Sequence, residues 1–259
     1  MEEKLYIEGG FQLNGEINAM GAKNAALPLL AATLLTPSPC ILKRVPKITD
    51  VSIMLALLES LGAKTVQEEN KVKLCAKKIS SNADSYTLIK SLRASFLVLA
   101  PLLARLGKAK VGVPGGDIIG ARPINLHLEG LSKLGADLKV RHGYVEGKVL
   151  GKRLKGAHIS LSYPSVGATH QILMAASLAK GTTVLEGAAK EPEVENLVKM
   201  LTIMGAEIEV EKPGKFIIKG KEELQGANLS LIGDRIEAAT YLLAGAITRG
   251  KVLVKGINP

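Results

Sequence analysis

LLESLGAKTV (57–66), LSKLGADLKV (131–140) and LTIMGAEIEV (201–210) are three versions of one segment. Each closes an amphipathic helix on a leucine or methionine, places Gly-Ala directly after it, and continues as a short strand, the pattern of a helix stopped by a left-handed glycine. They recur roughly every 70 residues, the signature of a repeated structural unit. Ala-rich apolar runs precede them at about 25–35, 93–106 and 168–179, with a fourth at 237–248, followed by strands such as KAKVGV (108–113), GTTVLEG (181–187) and GKVLVKG (250–256).

The unit is therefore an apolar helix, a strand, an amphipathic helix, Gly-Ala and two strands, the last two exemplified by Ala136 to Val140 and Tyr144 to Leu150. An apolar helix of this kind is expected to be buried. The second helix, for example Val51 to Leu61, should keep one face in water. The fold class is α/β, with three similar units packed around shared buried helices. A fourth unit begins at Asp234-Arg235 and holds only one helix and one strand, so the chain is expected to be part of a longer protein.

The chemistry is concentrated where the apolar helices begin. Gly21-Ala22-Lys23-Asn24 opens the first, with Asn24 a good N-cap type, Arg93 the second, Ser165 with Gly167 the third and Arg235 the fourth. Cations and capping side chains at helix N-termini make anion sites, because free N–H groups and the dipole point there. Taken singly, each is an ordinary cap or surface charge, and Arg235 has Asp234 or Glu237 as local partners. PGGDIIGARPINLH (114–127) adds a glycine-rich loop, one acid and a cation. Gly115, Gly116 and Gly120 allow close backbone approach, Asp117 can pass a proton, and Arg122 precedes Pro123 at an expected helix start.

Composition excludes several classes. The chain has 259 residues, 47% of them apolar, which is enough for a substantial core. No apolar run is long enough to span a bilayer, and MEEKLYIEGG begins acidic, unlike an export signal, so a cytoplasmic location without membrane partners is expected. The formal charge of +10 comes from scattered cations, and aromatics are 3% with no Trp, which argues against nucleic acid and for small anionic ligands. Cys40 and Cys75 read as reduced thiols, His127, His142, His158 and His170 show no ligand spacing, and no metal or cofactor is expected.

GAKNAALPLL from Gly21, VPKITDV from Val45, SLRASFLVLAPLLARLG from Ser91, PGGDIIGARP from Pro114, PSVGAT from Pro164, EPEVENL from Glu191 and DRIEAATYLLAGAITRGK from Asp234 resemble the UDP-N-acetylglucosamine 1-carboxyvinyltransferase family of enolpyruvyl transferases. The resemblance covers essentially the whole chain. It implies an inside-out α/β barrel with three repeats per domain and an active site between two domains. It also implies that 22–229 is one complete domain, with 1–21 and 230–259 belonging to a second whose C-terminal half is absent. The implied reaction, a step in peptidoglycan precursor synthesis and so in cell shape and division, transfers the enolpyruvyl group of phosphoenolpyruvate to the 3-hydroxyl of UDP-N-acetylglucosamine and releases phosphate. Lys23, Asn24 and Arg122 would hold phosphoenolpyruvate. Arg93, Arg122, Pro123, Ile124, Asn125, Leu126, Ser165 and Val166 would hold the nucleotide sugar, and Asp117 would donate the proton.

Asp117 stands where many members carry cysteine, Asn125 where an acid is usual, and Tyr163 where a lysine is expected at the diphosphate. The implied base lies in the C-terminal half, so no turnover is expected from this chain alone. The first alternative is 5-enolpyruvylshikimate 3-phosphate synthase, whose serine-lysine-serine motif is missing from GAKNAA. The second is a non-catalytic module that binds nucleotide sugars.

Overall fold

The computed structural model describes residues 4–83, 93–113 and 123–258, without the side chains of Arg93 and Ala94. The chain begins with β1 (Asn14–Asn18) and then forms a first unit: α1 (Lys23–Ala32) with a 3-10 turn (Thr33–Leu35), β2 (Cys40–Lys43), α2 (Thr49–Ser60), β3 (Lys64–Glu68), β4 (Lys71–Cys75) and β5 (Asn82–Ala83). The second has a 3-10 turn (Arg93–Val98) running into α3 (Leu99–Leu106), then β6 (Lys108–Gly112), α4 (Asn125–Lys133), β7 (Ala136–Arg141), β8 (Tyr144–Val149) and β9 (His158–Ser160). The third has α5 (Val166–Ser177), β10 (Thr182–Glu186), α6 (Pro192–Ile203), β11 (Glu207–Lys212), β12 (Lys215–Lys219) and β13 (Asn228–Ser230). A fourth unit-opening helix, α7 (Arg235–Ile247), leads to β14 (Lys251–Lys255).

The repeated glycines do what the sequence pattern requires. Gly62, Gly135 and Gly205 have φ of 99°, 93° and 99°, a region costly for any residue with a Cβ. At α2 the N–H of Gly62 reaches the carbonyl of Glu59 and that of Ala63 reaches Leu58, closing the helix end with paired bonds. Gly205 and Ala206 repeat this on Thr202 and Leu201. The chain is thereby turned from helix into hairpin at the same point of each unit.

Three four-stranded sheets result, ordered β13-β2-β4-β3, β5-β6-β8-β7 and β9-β10-β12-β11. In each, one unit ends in a two- or three-residue strand that pairs in parallel with the first strand of another: β5 with β6, β9 with β10, and β13 with β2. The last pairing returns the third unit to the first, so the three sheets are linked in a ring, although among the described residues no sheet closes on itself. Helices occupy the middle. α1 packs against α2 and α6, and α5 against α3, α4 and α6, with Leu29, Leu30, Leu99, Leu102, Ile172 and Met174 fully buried. Helices inside and sheets outside make the inside-out arrangement.

α7 obeys the same rule without the same surroundings. β14 pairs in parallel with β1 over Asn14 to Asn18, as β6 does with β5. The helix nevertheless buries only Ala238 and Gly245 and leaves Leu243 69% and Ile247 85% exposed, unlike α1 or α5. The two segments joining this part to the ring cross as an antiparallel strap: Ala22 N–H to Ile232 O at 2.8 Å and Asp234 N–H to Met20 O at 2.9 Å. A Cβ at Gly21 would lie 1.7 Å from the Arg44 carbonyl, so only glycine fits this crossing. The Arg44 guanidinium binds the carbonyls of Ala19 and Gly256, each at 2.6 Å.

Two local expectations are corrected. Asn24 does not cap α1: the N-cap is Ala22, and the helix-opening N–H of Lys23 is taken by Asp234 Oδ2 at 3.1 Å from across the strap. Pro123 is not the first helical residue, because α4 begins at Asn125 with Ile124 as N-cap, and proline instead fixes the approach to the helix.

Candidate active site

Residues from five helix starts singled out in the sequence lie in one region. Asn24 with Leu27 and Pro28, Phe96 and Leu97, Pro123 and Ile124, Ser165 with Val166 and Gly167, and Arg235 all line a cleft of about 520 Å³. A hollow of about 640 Å³ around Asn18, Met20, Gly21 and Arg44 is larger, but it holds none of the predicted ligand-binding residues. The ring of units explains the convergence, since it aims the N-termini of successive buried helices toward one end.

Local chemistry makes that end receptive. Ser165 caps α5 by accepting the Ala168 N–H at 3.4 Å, which leaves the N–H groups of Val166 and Gly167 as first-turn donors. Pro28 is the sixth residue of α1 and has no N–H, so the carbonyl of Asn24 lacks its helical donor at the cleft wall. Asp234 caps α7 through Oδ1, which accepts from Ile236 at 2.9 Å and Glu237 at 3.1 Å, while Oδ2 serves α1. One carboxylate thus ties two helix starts together.

Charge in the cleft comes from a pair that sequence proximity did not indicate. Arg235 binds Glu193 through Nε at 3.0 Å and Nη2 at 3.2 Å, not Asp234 or Glu237. Glu193 is 2% exposed and needs this partner, because a buried carboxylate without one is costly. The two-point bond to Glu193 raises the Arg235 guanidinium above its ordinary value. In the cleft wall, burial lowers His127 and His170 to about 4, so both imidazoles are neutral at pH 7. At His170 the nearby Glu193 backbone offsets a part of that lowering.

The remaining predicted residues divide as follows. Lys23 stands outside the cleft lining and pairs with Asp50 at 3.2 Å, both side chains substantially exposed. Asn125 is exposed at the first position of α4, whereas Leu126 is 3% exposed and belongs to the core, so its side chain faces away from the cleft. Arg93 opens its 3-10 turn. Asp117 and Arg122 lie outside the described residues, as do Gly115, Gly116 and Gly120. Lining residues that the sequence did not place at a ligand are Phe96, His127, His170, Glu191 and Glu193; Arg235, singled out at its helix start, and Tyr163, noted at the diphosphate, line the cleft as well. The available signals were Glu191 and Glu193 in EPEVENL and the position of His127 directly after the PIN-Leu strip.

The family model described as EPSP synthase (3-phosphoshikimate 1-carboxyvinyltransferase) matches residues 7–259. The chain belongs to this enolpyruvyl transferase family. Relatives named UDP-N-acetylglucosamine 1-carboxyvinyltransferase from Shewanella amazonensis and Thermotoga maritima are each 46% identical over 257 residues, 99% of this chain and 61% of theirs. The chain therefore spans about three fifths of the length of the curated relatives it matches. Among solved structures, the enolpyruvyl transferase NikO from Streptomyces tendae superposes with a TM-score of 0.81 at 23% identity, covering 91% of this chain and 56% of that one. EPSP synthase from Acinetobacter baumannii gives 0.70 at 20% identity, covering 96% and 57%. Both similarities carry the enolpyruvyl transferase fold.

Among the described residues, no helix is long and apolar enough to cross a membrane, and no group of three or more His, Cys, Asp or Glu is placed to hold a metal.

Proposed function

We propose that this chain is the nucleotide-sugar-binding part of an enzyme that transfers the enolpyruvyl group of phosphoenolpyruvate to the 3-hydroxyl of UDP-N-acetylglucosamine, releasing phosphate. The observation that carries the reading is the 46% identity, over 99% of the chain, to proteins of that name. The cleft supports it, because it draws Asn24, Ile124, Ser165 and Val166 together from three units. On this reading the first-turn N–H groups of α5 hold the diphosphate, Pro123 and Ile124 pack on the base, and Arg93 and Arg122 bind the substrates' charges. Lys23 and Asn24, with Arg122, take phosphoenolpyruvate, Lys23 exchanging Asp50 for the ligand's anion.

Asp117 delivers a proton to the vinyl methylene while the sugar hydroxyl, giving up its proton to a base in the remaining length of the enzyme, attacks the adjacent carbon; phosphate then leaves the tetrahedral adduct as a proton is withdrawn from its new methyl group, which restores the double bond. Residues 22–229 form one domain in this proposal. The strap at Gly21 and Gly233 leads into a second, of which β1, α7 and β14 are the start and the remaining length of the relatives the rest. A polypeptide of the relatives' full length is expected to act in the cytoplasm on peptidoglycan precursors. Phosphate release from phosphoenolpyruvate by that polypeptide tests the reading: it should require UDP-N-acetylglucosamine, and release driven by shikimate 3-phosphate would assign the chain to the other acceptor.

A further inference from the structure

The floor of the cleft contains a polar relay that no step above uses. Gln171 is fully buried on α5, and its side-chain nitrogen lies 3.0 Å from the Phe96 carbonyl and 3.1 Å from His127 Nδ1. A backbone carbonyl only accepts, so the atom facing Phe96 is the amide NH2, and its second hydrogen is the one directed at His127. Nδ1 therefore holds the lone pair. A neutral imidazole with an acceptor at Nδ1 carries its proton on Nε2. Phe96 fixes the ring plane by an edge contact, with centroids 5.4 Å apart and planes at 66°.

The protonated edge faces the start of α5. A Cβ at Gly167 would stand 2.8 Å from His127 Cε1 and 3.1 Å from Nε2, so that edge lies directly over the helix's first turn, and both residues line the cleft. Gly167 is needed for this approach. Beside it, His170 is 2% exposed and lines the same cleft, yet its Nε2 has no hydrogen-bond partner among the described residues. A buried polar atom left open in a cleft wall points to an occupant.

We propose that Gln171 is a positioning residue that fixes His127 as an Nε2–H donor, and that this donor binds an oxyanion of the ligand seated at the N-terminus of α5. The inference rests on the nucleotide-sugar reading and names the diphosphate as the group bound. His127 adds a directed side-chain donor to the backbone N–H groups of Val166 and Gly167. Because the imidazole is neutral, the site selects an anion by hydrogen-bond geometry without adding a buried charge. His170 Nε2, buried and without a partner among the described residues, offers a second ring nitrogen to a polar group of the same ligand.

Nitrogen-15 spectra of the histidine side chains of the 259-residue chain, at pH 7 and titrated with UDP-N-acetylglucosamine or uridine, test this directly. The expected result is a protonated Nε2 and unprotonated Nδ1 at His127, with Nε2 shifted by the diphosphate ligand and not by uridine. Gln171→Met should give mixed tautomers at His127 and, like His127→Phe, weaken UDP-N-acetylglucosamine about tenfold, whereas His127→Gln, which keeps an N–H, should recover part of the loss. A proton on Nδ1, an unmoved Nε2 in the ligand-bound chain, or unchanged affinity in both variants would overturn the inference alone. Failure of the unsubstituted chain to bind UDP-N-acetylglucosamine would instead overturn the nucleotide-sugar reading. Should a variant not fold, the spectrum of the unsubstituted chain still decides.

Discussion

Single side chains carry the sharpest consequences. His127 and His170 both have folded-state values near 4 against about 6.5 when unfolded, because burial disfavours the charged ring. A depressed histidine contributes stability that is present above pH 6.5 and is lost as pH falls toward 4, since the unfolded chain takes up protons that the folded one refuses. The loss should be roughly 3 kcal/mol for each imidazole at the low end of that window. Urea unfolding at pH 7 and pH 4.5 checks this, and replacing both histidines with glutamine should flatten the difference. For Asp117, a carboxylic acid can donate a proton but is a poor nucleophile toward epoxides. In a polypeptide of the relatives' full length, Asp117→Asn should slow turnover on the order of a hundredfold, the scale of a lost general acid. Fosfomycin should label the Asp117→Cys form and not the parent. Mass spectrometry distinguishes them, and rapid labelling of the parent would remove Asp117 from the proposed role.

At the scale of elements, the helix ends and the pairs between helices decide stability. Gly205→Ala places a Cβ at a φ of 99°, and a loss of about 1–2 kcal/mol is expected even though its Cβ position has almost no neighbours. Arg235→Ala strands the Glu193 carboxylate between α6 and α7, and because Arg235 is itself half exposed the cost should be smaller than for a fully buried pair, about 1–3 kcal/mol. Glu193→Gln together with Arg235→Ala should recover part of it in thermal melts. These elements also mark what the sequence could show. Helix-stop glycines were visible because only glycine suits a left-handed position at the end of an apolar period. The strands β5, β9 and β13 were not, because two or three residues contain no period and their pairing is set by the ring. Glu193 and Arg235 are 42 residues apart, and no local rule joins them, so the sequence offered Asp234 and Glu237 instead. Asn24 looked like a cap by residue type, but the helix start was already supplied with Asp234 from the strap.

For the whole molecule, the ring of three units and the half-built fourth should differ in local stability. Amides of α1, α3 and α5 lie inside the core and should exchange with solvent only on global unfolding, whereas α7 and β14, with Leu243 and Ile247 in water, should exchange and be cleaved first. Equal protection across α5 and α7 would contradict that division. The same ring is what turns five distant helix starts into one cleft, which is why the repeat is legible as a fold while the site is legible only as separate anion-binding fragments. The central claim is that this cleft recognises a nucleotide sugar. Titrating the isotope-labelled chain with UDP-N-acetylglucosamine and, separately, shikimate 3-phosphate measures it most directly. Saturable shifts are expected at Ile124, His127, Ser165, Val166 and Gly167 with UDP-N-acetylglucosamine, at affinities on the order of millimolar or tighter, and none there with shikimate 3-phosphate; shifts at those residues from shikimate 3-phosphate alone would show that the cleft takes the other acceptor.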